Sequence, residues 1–305
     1  MSEFSESKAS QETKELMTLT SDYEDESGHH PSIEIDQNAP ALFLFDIDGT
    51  MIDARKLHGP AQVALYKEKF NLQGLDEPKF REEFIQFYVD QWGKGEKEEQ
   101  AAVCDHYGIT FASDEERDRI LEDLATSYGH KFEQVMADAT PEMKANLVLP
   151  GVKIFLERMQ REGIPAAVVT GNVQRSARAI LKHTGLAKYF ITGGHDDDPA
   201  VTSEGYRRAN IVNSAIEKLK AKGIDISPER MAVFGDTPKD YLATLHQLEG
   251  KPFVFLLATG DVRFHDLAKV KNPDNERRPY LVLPKLSDLN LDKFFESLRR
   301  ETSDE

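Results

Sequence analysis

The chain has a single cysteine, Cys104, among its 305 residues. A disulfide framework within the chain is therefore excluded, and such sparse cysteine usage is typical of a reducing compartment. Long apolar runs are also lacking, because none approaches the roughly 20 residues that a membrane-spanning helix needs. Residues 1–30 contain no basic start followed by an apolar stretch, so no signal peptide is predicted. These absences predict a cytoplasmic protein that does not bind a membrane.

Positive charge is scarce as well. The chain has 38 Lys and Arg residues against 54 Asp and Glu residues, a net charge of −16. Without a basic patch it is a poor candidate for binding nucleic acid. Residues 1–40 hold ten acidic and two basic side chains, so this segment carries −8 of the total. It is also rich in Ser, Thr and Gln and poor in large apolar residues, which predicts a disordered acidic tail.

Beyond this tail, strands and helices alternate along most of the chain. Residues 41–45 form an apolar run without alternation, which is typical of a strand buried on both faces. Such alternation predicts an α/β protein with a doubly wound parallel sheet. The predicted strands are 41–45, 166–169, 189–192, 231–234, 253–257 and 280–283, and the predicted helices are 152–161, 176–183, 211–222, 240–248 and 291–300.

A different pattern fills residues 55–144, where apolar residues recur at helical spacing among many charges and no strand is evident. Ser113 followed by Glu116 predicts a capping box at the start of one helix. The helical spans are 61–70, 79–91, 97–106, 114–128 and 131–137. We therefore expect an all-helical insert at 55–144, interrupting an α/β core made of 41–54 and 145–305.

Polar side chains follow three of the predicted strands. Asp46 and Asp48 come after the first, Thr170 after the second, and Asp236 after a later one. Ligands of parallel sheets bind outside the carboxyl ends of the strands, so these residues should meet at one site. Carboxylate and carbonyl oxygens suit Mg²⁺, and a phosphate ester there would also meet a hydroxyl and backbone N–H groups. A carboxylate can then act as the nucleophile and form an aspartyl phosphate.

Three segments resemble motifs of the haloacid dehalogenase (HAD) superfamily of phosphohydrolases. Residues 42–50 read LFLFDIDGT and match the first motif, hhhhDxDGT. Residues 168–172 read VVTGN and resemble the second, while 235–240 read GDTPKD and resemble the fourth. The resemblance covers residues 41 to about 290. It implies a Rossmann-like core whose helical insert is a cap of the C1 type.

The third motif of this superfamily is normally a lysine, and residues 204–212 contain none. One branch uses an arginine ahead of Asn-Ile-Val, which favours Arg208 over Arg207 as the cation. The Thr-Gly-Asn and Gly-Asp-Thr-Pro-x-Asp patterns, with Ala-Thr-Gly at 258–260, resemble the same phosphoglycolate-phosphatase-like branch.

The resemblance implies catalytic and metal roles for four aspartates. Asp46 would be the nucleophile and a Mg²⁺ ligand. Asp48 would be the general acid and base, and its backbone carbonyl would bind Mg²⁺. Asp236 would complete the metal site, and Asp240 would support it.

It also implies a phosphate-binding group. Thr170 and the backbone amides near Gly171 and Asn172 would hold phosphoryl oxygens, while Arg208 would offset their charge. The function implied is a Mg²⁺-dependent phosphatase acting on a small phosphorylated metabolite through an aspartyl phosphate.

Two alternatives remain open at this point. A sugar-phosphate mutase of the same superfamily shares all of these motifs. A non-catalytic HAD-fold interaction protein would have little reason to retain them. Substrate identity and oligomeric state are not indicated. Several insert residues could touch a substrate, but each is interpreted as an exposed charge or a packing residue: Arg55, Lys56, His58, Trp92, Lys94 and Lys97.

Overall fold

The computed structural model describes most of the chain as two layers of helix around a parallel sheet, together with a helical insert and an N-terminal hairpin. The described residues are 14–53, 55–91, 96–201, 207–248, 252–260, 262–268, 270 and 280–301. The strands are β1 (Leu16–Thr20), β2 (Ser32–Asp36), β3 (Leu42–Phe45), β4 (Ala166–Val169), β5 (Thr192–Gly194), β6 (Met231–Gly235), β7 (Phe253–Leu257) and β8 (Tyr280–Leu283).

Helices occupy both the insert and the crossovers between strands. They are α1 (Arg55–Phe70), α2 (Pro78–Val89), α3 (Glu96–His106), α4 (Asp114–Asp138), α5 (Pro141–Leu147), α6 (Val152–Glu162), α7 (Gln174–Thr184), α8 (Arg207–Ala221), α9 (Pro238–Leu248), α10 (Phe264–Leu267) and α11 (Leu291–Glu301). No helix in the described ranges is long and apolar enough to cross a membrane.

The six strands of the main sheet run in the order β5-β4-β3-β6-β7-β8, and every neighbouring pair is parallel. β3 lies at the centre, which explains its continuous apolar sequence. Phe45 stacks on Phe234 with ring centroids 4.5 Å apart and packs on Phe155 of α6, while Leu44 on the other face joins Ile211 of α8 in a second core. Because both faces are covered by helices, the predicted doubly wound α/β fold is confirmed.

The strand predicted at 189–192 is the one that the structure places differently. Residues 187–189 form a short 3₁₀ turn, and β5 begins only at Thr192. The apolar residues Phe190 and Ile191 are buried in the core directly after this turn, and the backbone N–H of Ile191 donates to Ala166 O of β4 at 3.0 Å, one residue before β5 begins. The strand itself contains two glycines, which carry no β signal in a sequence.

All of the helices of the insert, α1 to α5, lie between β3 and α6. The two spans predicted at 114–128 and 131–137 form one continuous helix, α4. Its predicted N-cap is confirmed, since the Ser113 side chain accepts a hydrogen bond of 3.2 Å from the backbone N–H of Glu116. The Glu116 carboxylate accepts from Ala112 N instead of closing the box on Ser113.

The prediction of disorder over residues 1–40 is wrong for residues 14–40. β1 and β2 pair in antiparallel register, with Leu16 opposite Asp36. Ile33 and Ile35 of β2 are buried in the core, so strict alternation in β2 directs its charged side chains to solvent. The acidic composition of the segment masked this short pattern. Residues 1–13 lie outside the described residues.

Candidate active site

The predicted site residues meet at one edge of the sheet. Asp46 follows β3, Thr170 follows β4 and Asp236 follows β6, and these three strands are adjacent. The backbone N–H of Asp46 donates to Phe234 O at 2.9 Å, which fixes the end of β3 against β6. Carboxylate oxygens of Asp46, Asp236 and Asp240 lie within 4.8 Å of one another. Parallel strand topology thus brings together segments nearly two hundred residues apart.

Two glycines shape the pocket around Asp236. Gly49 has φ 75°, and a Cβ on it would lie 2.1 Å from Asp236 Oδ2. A Cβ on Gly260 would lie 1.6 Å from the same oxygen. The Thr259 hydroxyl donates to Gly49 O, joining the turn after β7 to the turn after β3. The Ala-Thr-Gly pattern at 258–260 therefore has a steric reason, because both turns must approach this carboxylate closely.

Negative charge is in excess in this cluster. Burial raises the pKa of Asp46 to about 7, with Arg208 opposing the rise and Asp240 adding to it. The pKa of Asp236 is raised well above its usual value, first by burial and then by Asp46 and Asp240. Three crowded carboxylates with hard oxygen atoms form a donor set that fits Mg²⁺. The residues present therefore fit the metal that the motifs imply.

Arg208 is the cation that enters the cluster. Its Nη2 lies 2.8 Å from Asp46 Oδ1 and 2.6 Å from Asp240 Oδ1, and its Nε donates to the latter oxygen at 3.0 Å. Burial alone would lower the pKa of Arg208, but the two carboxylates outweigh it and raise that pKa. Arg207 points away and binds Asp196, with Nε 2.6 Å from Oδ1. Adjacent helix positions point in different directions, which separates the two arginines.

The turn after β4 is organised around the Thr170 hydroxyl. Asn172 donates to Thr170 Oγ1 from its backbone N at 3.2 Å and from its side chain at 3.1 Å. With its oxygen so engaged, the hydroxyl proton is the group that Thr170 can offer to a ligand. A Cβ on Gly171 would lie 3.4 Å from Arg208 Nη1, so this turn and Arg208 flank the same space.

Asp48 lies between the core and the insert. The Asn172 amide donates to Asp48 Oδ2 at 2.5 Å, and His58 Nε2 lies 3.3 Å from Asp48 Oδ1. The other ring nitrogen of His58 is bonded to the Tyr128 hydroxyl, and its ring stacks on Phe132 at 4.5 Å. Two residues from different parts of the fold therefore hold the same carboxyl group.

His58 is a functional candidate that the sequence interpretation assigned to an exposed charge or a packing residue. It is only 4% exposed and packs as expected, yet it also contacts Asp48. Helical periodicity could not have predicted the contact between His58 and Asp48, because it depends on how the insert packs against the edge of the sheet. Of the other insert candidates, Lys56 is exposed and Lys97 pairs with Asp118 and Glu122. Trp92, Lys94 and the Arg55 side chain lie outside the described residues.

A cavity of about 500 Å³ opens over this cluster, between the core and the insert. Its core side is lined by the aspartates, the Thr170 turn, both arginines and the start of α9. Its insert side is lined by His58, Tyr88, Val89, Glu96, Glu99 and Tyr128. The cavity thus has a core wall and an insert wall of different composition.

Comparison with known proteins places the chain. The sequence model of the haloacid dehalogenase-like hydrolases matches residues 40–245. The chain belongs to this family. A curated phosphoglycolate phosphatase from Rhodobacter capsulatus is 27% identical over 159 residues, which cover 51% of this chain and 62% of that enzyme. This match therefore spans less than two thirds of the relative's length.

The match to a second relative of this hydrolase covers more of that relative's length. The validoxylamine A 7'-phosphate phosphatase of Streptomyces hygroscopicus subsp. limoneus is 24% identical over 250 residues, 75% of this chain and 95% of that enzyme. Among solved structures, the β-phosphoglucomutase of Clostridium difficile shares the fold with a TM-score of 0.56 at 17% identity, covering 86% of this chain and 99% of that one.

These matches confirm the resemblance to the superfamily and to its phosphoglycolate-phosphatase-like branch, and they confirm an enzyme of the HAD hydrolase type. The roles of the individual site residues stay predictions. The structure brings Asp46, Asp236, Asp240 and Arg208 into one cluster.

Proposed function

We propose that this hydrolase is a Mg²⁺-dependent phosphomonoesterase that acts on a small phosphorylated metabolite through an aspartyl phosphate on Asp46. The observation that carries the proposal is the position of Asp46, buried on the floor of the cavity beside Arg208 and two further carboxylates. We also propose that the protein is located in the cytoplasm, because its single cysteine, Cys104, is typical of a reducing compartment.

The chemistry uses two carboxyl groups in turn. An Asp46 oxygen attacks phosphorus while the bond from phosphorus to the leaving oxygen breaks, and Asp48 gives its proton to that oxygen. Asp48 then takes a proton from a water molecule, which attacks the aspartyl phosphate. Phosphate leaves, and the Asp46 carboxylate is restored. His58 and Asn172 fit this scheme because they hold the Asp48 carboxyl group at both oxygens.

Positive charge and hydrogen bonds around the phosphoryl group would come from the core wall. Arg208, the Thr170 hydroxyl and the amides near Gly171 and Asn172 surround the space above Asp46. Such groups stabilise the charge that is spread over phosphoryl oxygens in the transition state. Arg208 is bound to Asp46 and Asp240 and is therefore already positioned.

Asp46, Asp236 and the backbone carbonyl of Asp48 would hold Mg²⁺, which supplies positive charge to the phosphoryl oxygens when bound. Asp240 would support the site, because it accepts hydrogen bonds from Thr237 N at 3.0 Å and from Arg208. Those bonds fix its carboxylate beside the other two.

The proposal is tested with p-nitrophenyl phosphate. Hydrolysis should require Mg²⁺, stop on addition of EDTA and be lost in Asp46→Asn. The exposed Asp266→Asn, which changes net charge equally, should retain activity. Turnover by Asp46→Asn equal to that of the wild type would contradict the mechanism. The product distinguishes a phosphatase from a mutase. With hexose 1-phosphates as substrates, we expect free phosphate. Formation of hexose 6-phosphates would overturn the phosphatase assignment.

A further inference from the structure

Polar contacts join the insert to the core across the cavity. One is the contact of His58 with Asp48, whose nearest atoms lie 3.3 Å apart. Another joins the insert to the loop that follows β5, where the backbone N–H of Glu96 donates to Asp196 Oδ2 at 2.9 Å. Asp196 lines the cavity and is only 4% exposed. The chemistry proposed above gives it no role, so this buried carboxylate needs an explanation.

The Asp196 carboxylate caps a helix of the insert. The first N–H groups of an α-helix have no partner within the helix, and a nearby carboxylate both accepts their hydrogen bonds and interacts favourably with the helix dipole. Helix α3 begins at Glu96, and the residue before it in the sequence is Gly95, which has no side chain that could accept such a bond. The core therefore supplies a capping group that Gly95 cannot provide.

Bonds within the core hold Asp196 itself. Its Oδ1 accepts from Arg207 Nε at 2.6 Å, and its carbonyl oxygen accepts from Arg207 Nη2 at 2.9 Å. Its backbone N–H donates to Asn172 O at 3.1 Å, which ties it to the turn that also carries Thr170. The carboxylate that caps α3 is therefore fixed relative to the phosphate-binding turn.

These bonds also indicate what Arg207 does. It is the first residue of α8, and its guanidinium group is bound to Asp196 through two nitrogens. The next residue, Arg208, is the one that enters the catalytic cluster beside Asp46. Arg207 thus acts on the position of Asp196 and of the start of α8, not on the phosphoryl group.

The position of α3 is linked to that of His58. Helices α1 and α3 both pack on α4 within the insert. His58 lies on α1, and one of its ring nitrogens is bonded to the hydroxyl of Tyr128 on α4. Because these helices pack together, a bond that holds the start of α3 to the core also restrains His58 against Asp48.

We propose, on the basis of the phosphatase function proposed above, that Asp196 is a positioning residue that docks the insert on the core. Its carboxylate caps α3 and so keeps His58 in contact with Asp48, while Arg207 holds that carboxylate in place. Asp196 contacts no reacting atom in this assignment. It acts through the insert on the carboxyl group that gives its proton to the leaving oxygen.

Two esters with different leaving groups test this role in the Mg²⁺-loaded enzyme. Asp196→Ala should lower kcat for sorbitol 6-phosphate by about tenfold, because losing a hydrogen bond to a charged group shifts a docking equilibrium by that factor or more. The loss on p-nitrophenyl phosphate should be smaller, since p-nitrophenolate departs without a proton from Asp48. Asp196→Asn keeps an acceptor for Glu96 N–H but loses the ion pair with Arg207, and its loss should be intermediate.

Hydrogen exchange measured by mass spectrometry reports the docking without turnover. Asp196→Ala should raise the exchange rate in the first turn of α3 by about threefold or more. The matched control is Asp197→Ala, because the adjacent Asp197 accepts a 2.7 Å bond from Gln174 N and so caps α7, a helix of the core. That control should raise exchange at the start of α7 and leave both α3 and the ratio of the two esters unchanged.

A double variant tests whether Arg207 acts through Asp196. If it does, adding Arg207→Ala to Asp196→Ala should change kcat by less than about twofold, because the two substitutions break the same interaction. A further loss on p-nitrophenyl phosphate in the double variant would show that Arg207 acts on the phosphoryl group directly, and it would contradict this part of the inference.

The outcomes separate this inference from the function on which it rests. Equal losses on both esters in Asp196→Ala would overturn the positioning role, and Mg²⁺-dependent hydrolysis by the wild type would leave the phosphatase function standing. If the wild type hydrolyses no phosphate ester, the phosphatase function is overturned, and hydrogen exchange still decides whether Asp196 docks the insert. Unchanged exchange in α3 of Asp196→Ala would overturn the docking, whatever the activity.

Discussion

The core wall and the insert wall of the cavity differ in how their residues are positioned. On the core wall, the ends of β3, β4 and β6 place Asp46, Thr170 and Asp236 side by side. On the insert wall, residues arrive from separate helices, such as Tyr88 from α2, Glu99 from α3 and Tyr128 from α4. The first arrangement follows from strand topology, whereas the second depends on helix packing.

This difference indicates a division of labour. The core wall holds the groups that act on the phosphoryl group, which is common to every phosphate ester. The insert wall faces the leaving group, which varies from one ester to another. Substitutions of core-wall residues that contact the phosphoryl group should therefore affect all substrates alike. Asp48 is the exception on that wall because it protonates the leaving oxygen, and substitutions on the insert wall should affect substrates unequally.

The largest effect is expected on the core wall at Asp46. Because the amide cannot form the aspartyl phosphate, Asp46→Asn should lower kcat by about 10⁴-fold or more for every substrate. Initial rates on p-nitrophenyl phosphate, sorbitol 6-phosphate and 2-phosphoglycolate measure this loss. A loss confined to one of them would break the division between the two walls.

A smaller and selective loss is expected at Asp48. Alkyl phosphates need a proton on the leaving oxygen, whereas p-nitrophenolate departs without one. Asp48→Asn should therefore slow sorbitol 6-phosphate by about 10²-fold or more beyond its effect on p-nitrophenyl phosphate. The same factor for both esters would show that Asp48 does not act as the general acid.

The two walls also differ in what the sequence could predict. Asp46, Asp48, Thr170 and Asp236 were all predictable, because motifs at strand ends report residues that the sheet must bring together. Arg208 lies on α8 and was predicted only from the resemblance to a family motif. The insert wall was not predictable in the same way. Its helices were recognised from their periodicity, but periodicity does not specify which helical face covers the site, and so the contact of His58 with Asp48 was missed.

The N-terminal hairpin was missed for a different reason. Composition over residues 1–40 indicated a polar acidic tail, and composition averages over position. The five residues of β2 bury two isoleucines in strict alternation, which is enough to attach the hairpin to the core. A short strand within a charged segment therefore cannot be recognised from the composition of that segment.

An intermediate effect is expected where the walls meet, at His58. Since His58 positions the Asp48 carboxyl group, His58→Ala should lower kcat for alkyl phosphates by about tenfold and affect p-nitrophenyl phosphate less. Tyr128→Phe, which removes the hydroxyl bonded to His58, should show the same pattern more weakly. Equal losses on both kinds of substrate, or a rise in KM alone, would indicate a packing role only.

The stability of the metal-free protein should depend on pH because of the buried carboxylates of the core wall. The pKa of Asp46 is raised to about 7, and an aspartate in an unfolded chain titrates near 3.9. The folded protein therefore retains a proton that the unfolded chain releases, so metal-free stability falls as pH rises between about 4 and 7. The raised pKa of Asp236 acts in the same direction.

Mg²⁺ binds ionised carboxylates, so it should compensate for this loss. We expect the rise in Tm on adding Mg²⁺ to be larger at about pH 8 than at about pH 5.5, by several degrees. Differential scanning fluorimetry measures it, and Asp236→Asn should reduce the rise. An equal or larger rise at the lower pH would contradict the assignment of these carboxylates as metal ligands.

The smallest effect is expected outside both walls, in the hairpin. The Tyr23 hydroxyl lies 3.1 Å from His195 Nε2, and the next residue, Asp196, binds both Arg207 and the backbone of Glu96. Tyr23→Phe leaves a buried imidazole nitrogen without this partner, which should cost about 1–2 kcal/mol of unfolding free energy. Urea denaturation measures the loss.

Tyr23→Phe also tests whether the hairpin influences the cavity. Other hydrogen bonds also hold Asp196 in place. One of them is donated by Arg207 Nη2 to the Asp196 carbonyl oxygen at 2.9 Å. We therefore expect kcat/KM of Tyr23→Phe to stay within about twofold of the wild type for both sorbitol 6-phosphate and p-nitrophenyl phosphate, because the anchoring bonds beyond His195 are intact. A larger change for sorbitol 6-phosphate than for p-nitrophenyl phosphate would instead show that the hairpin positions the insert wall through the loop that follows β5.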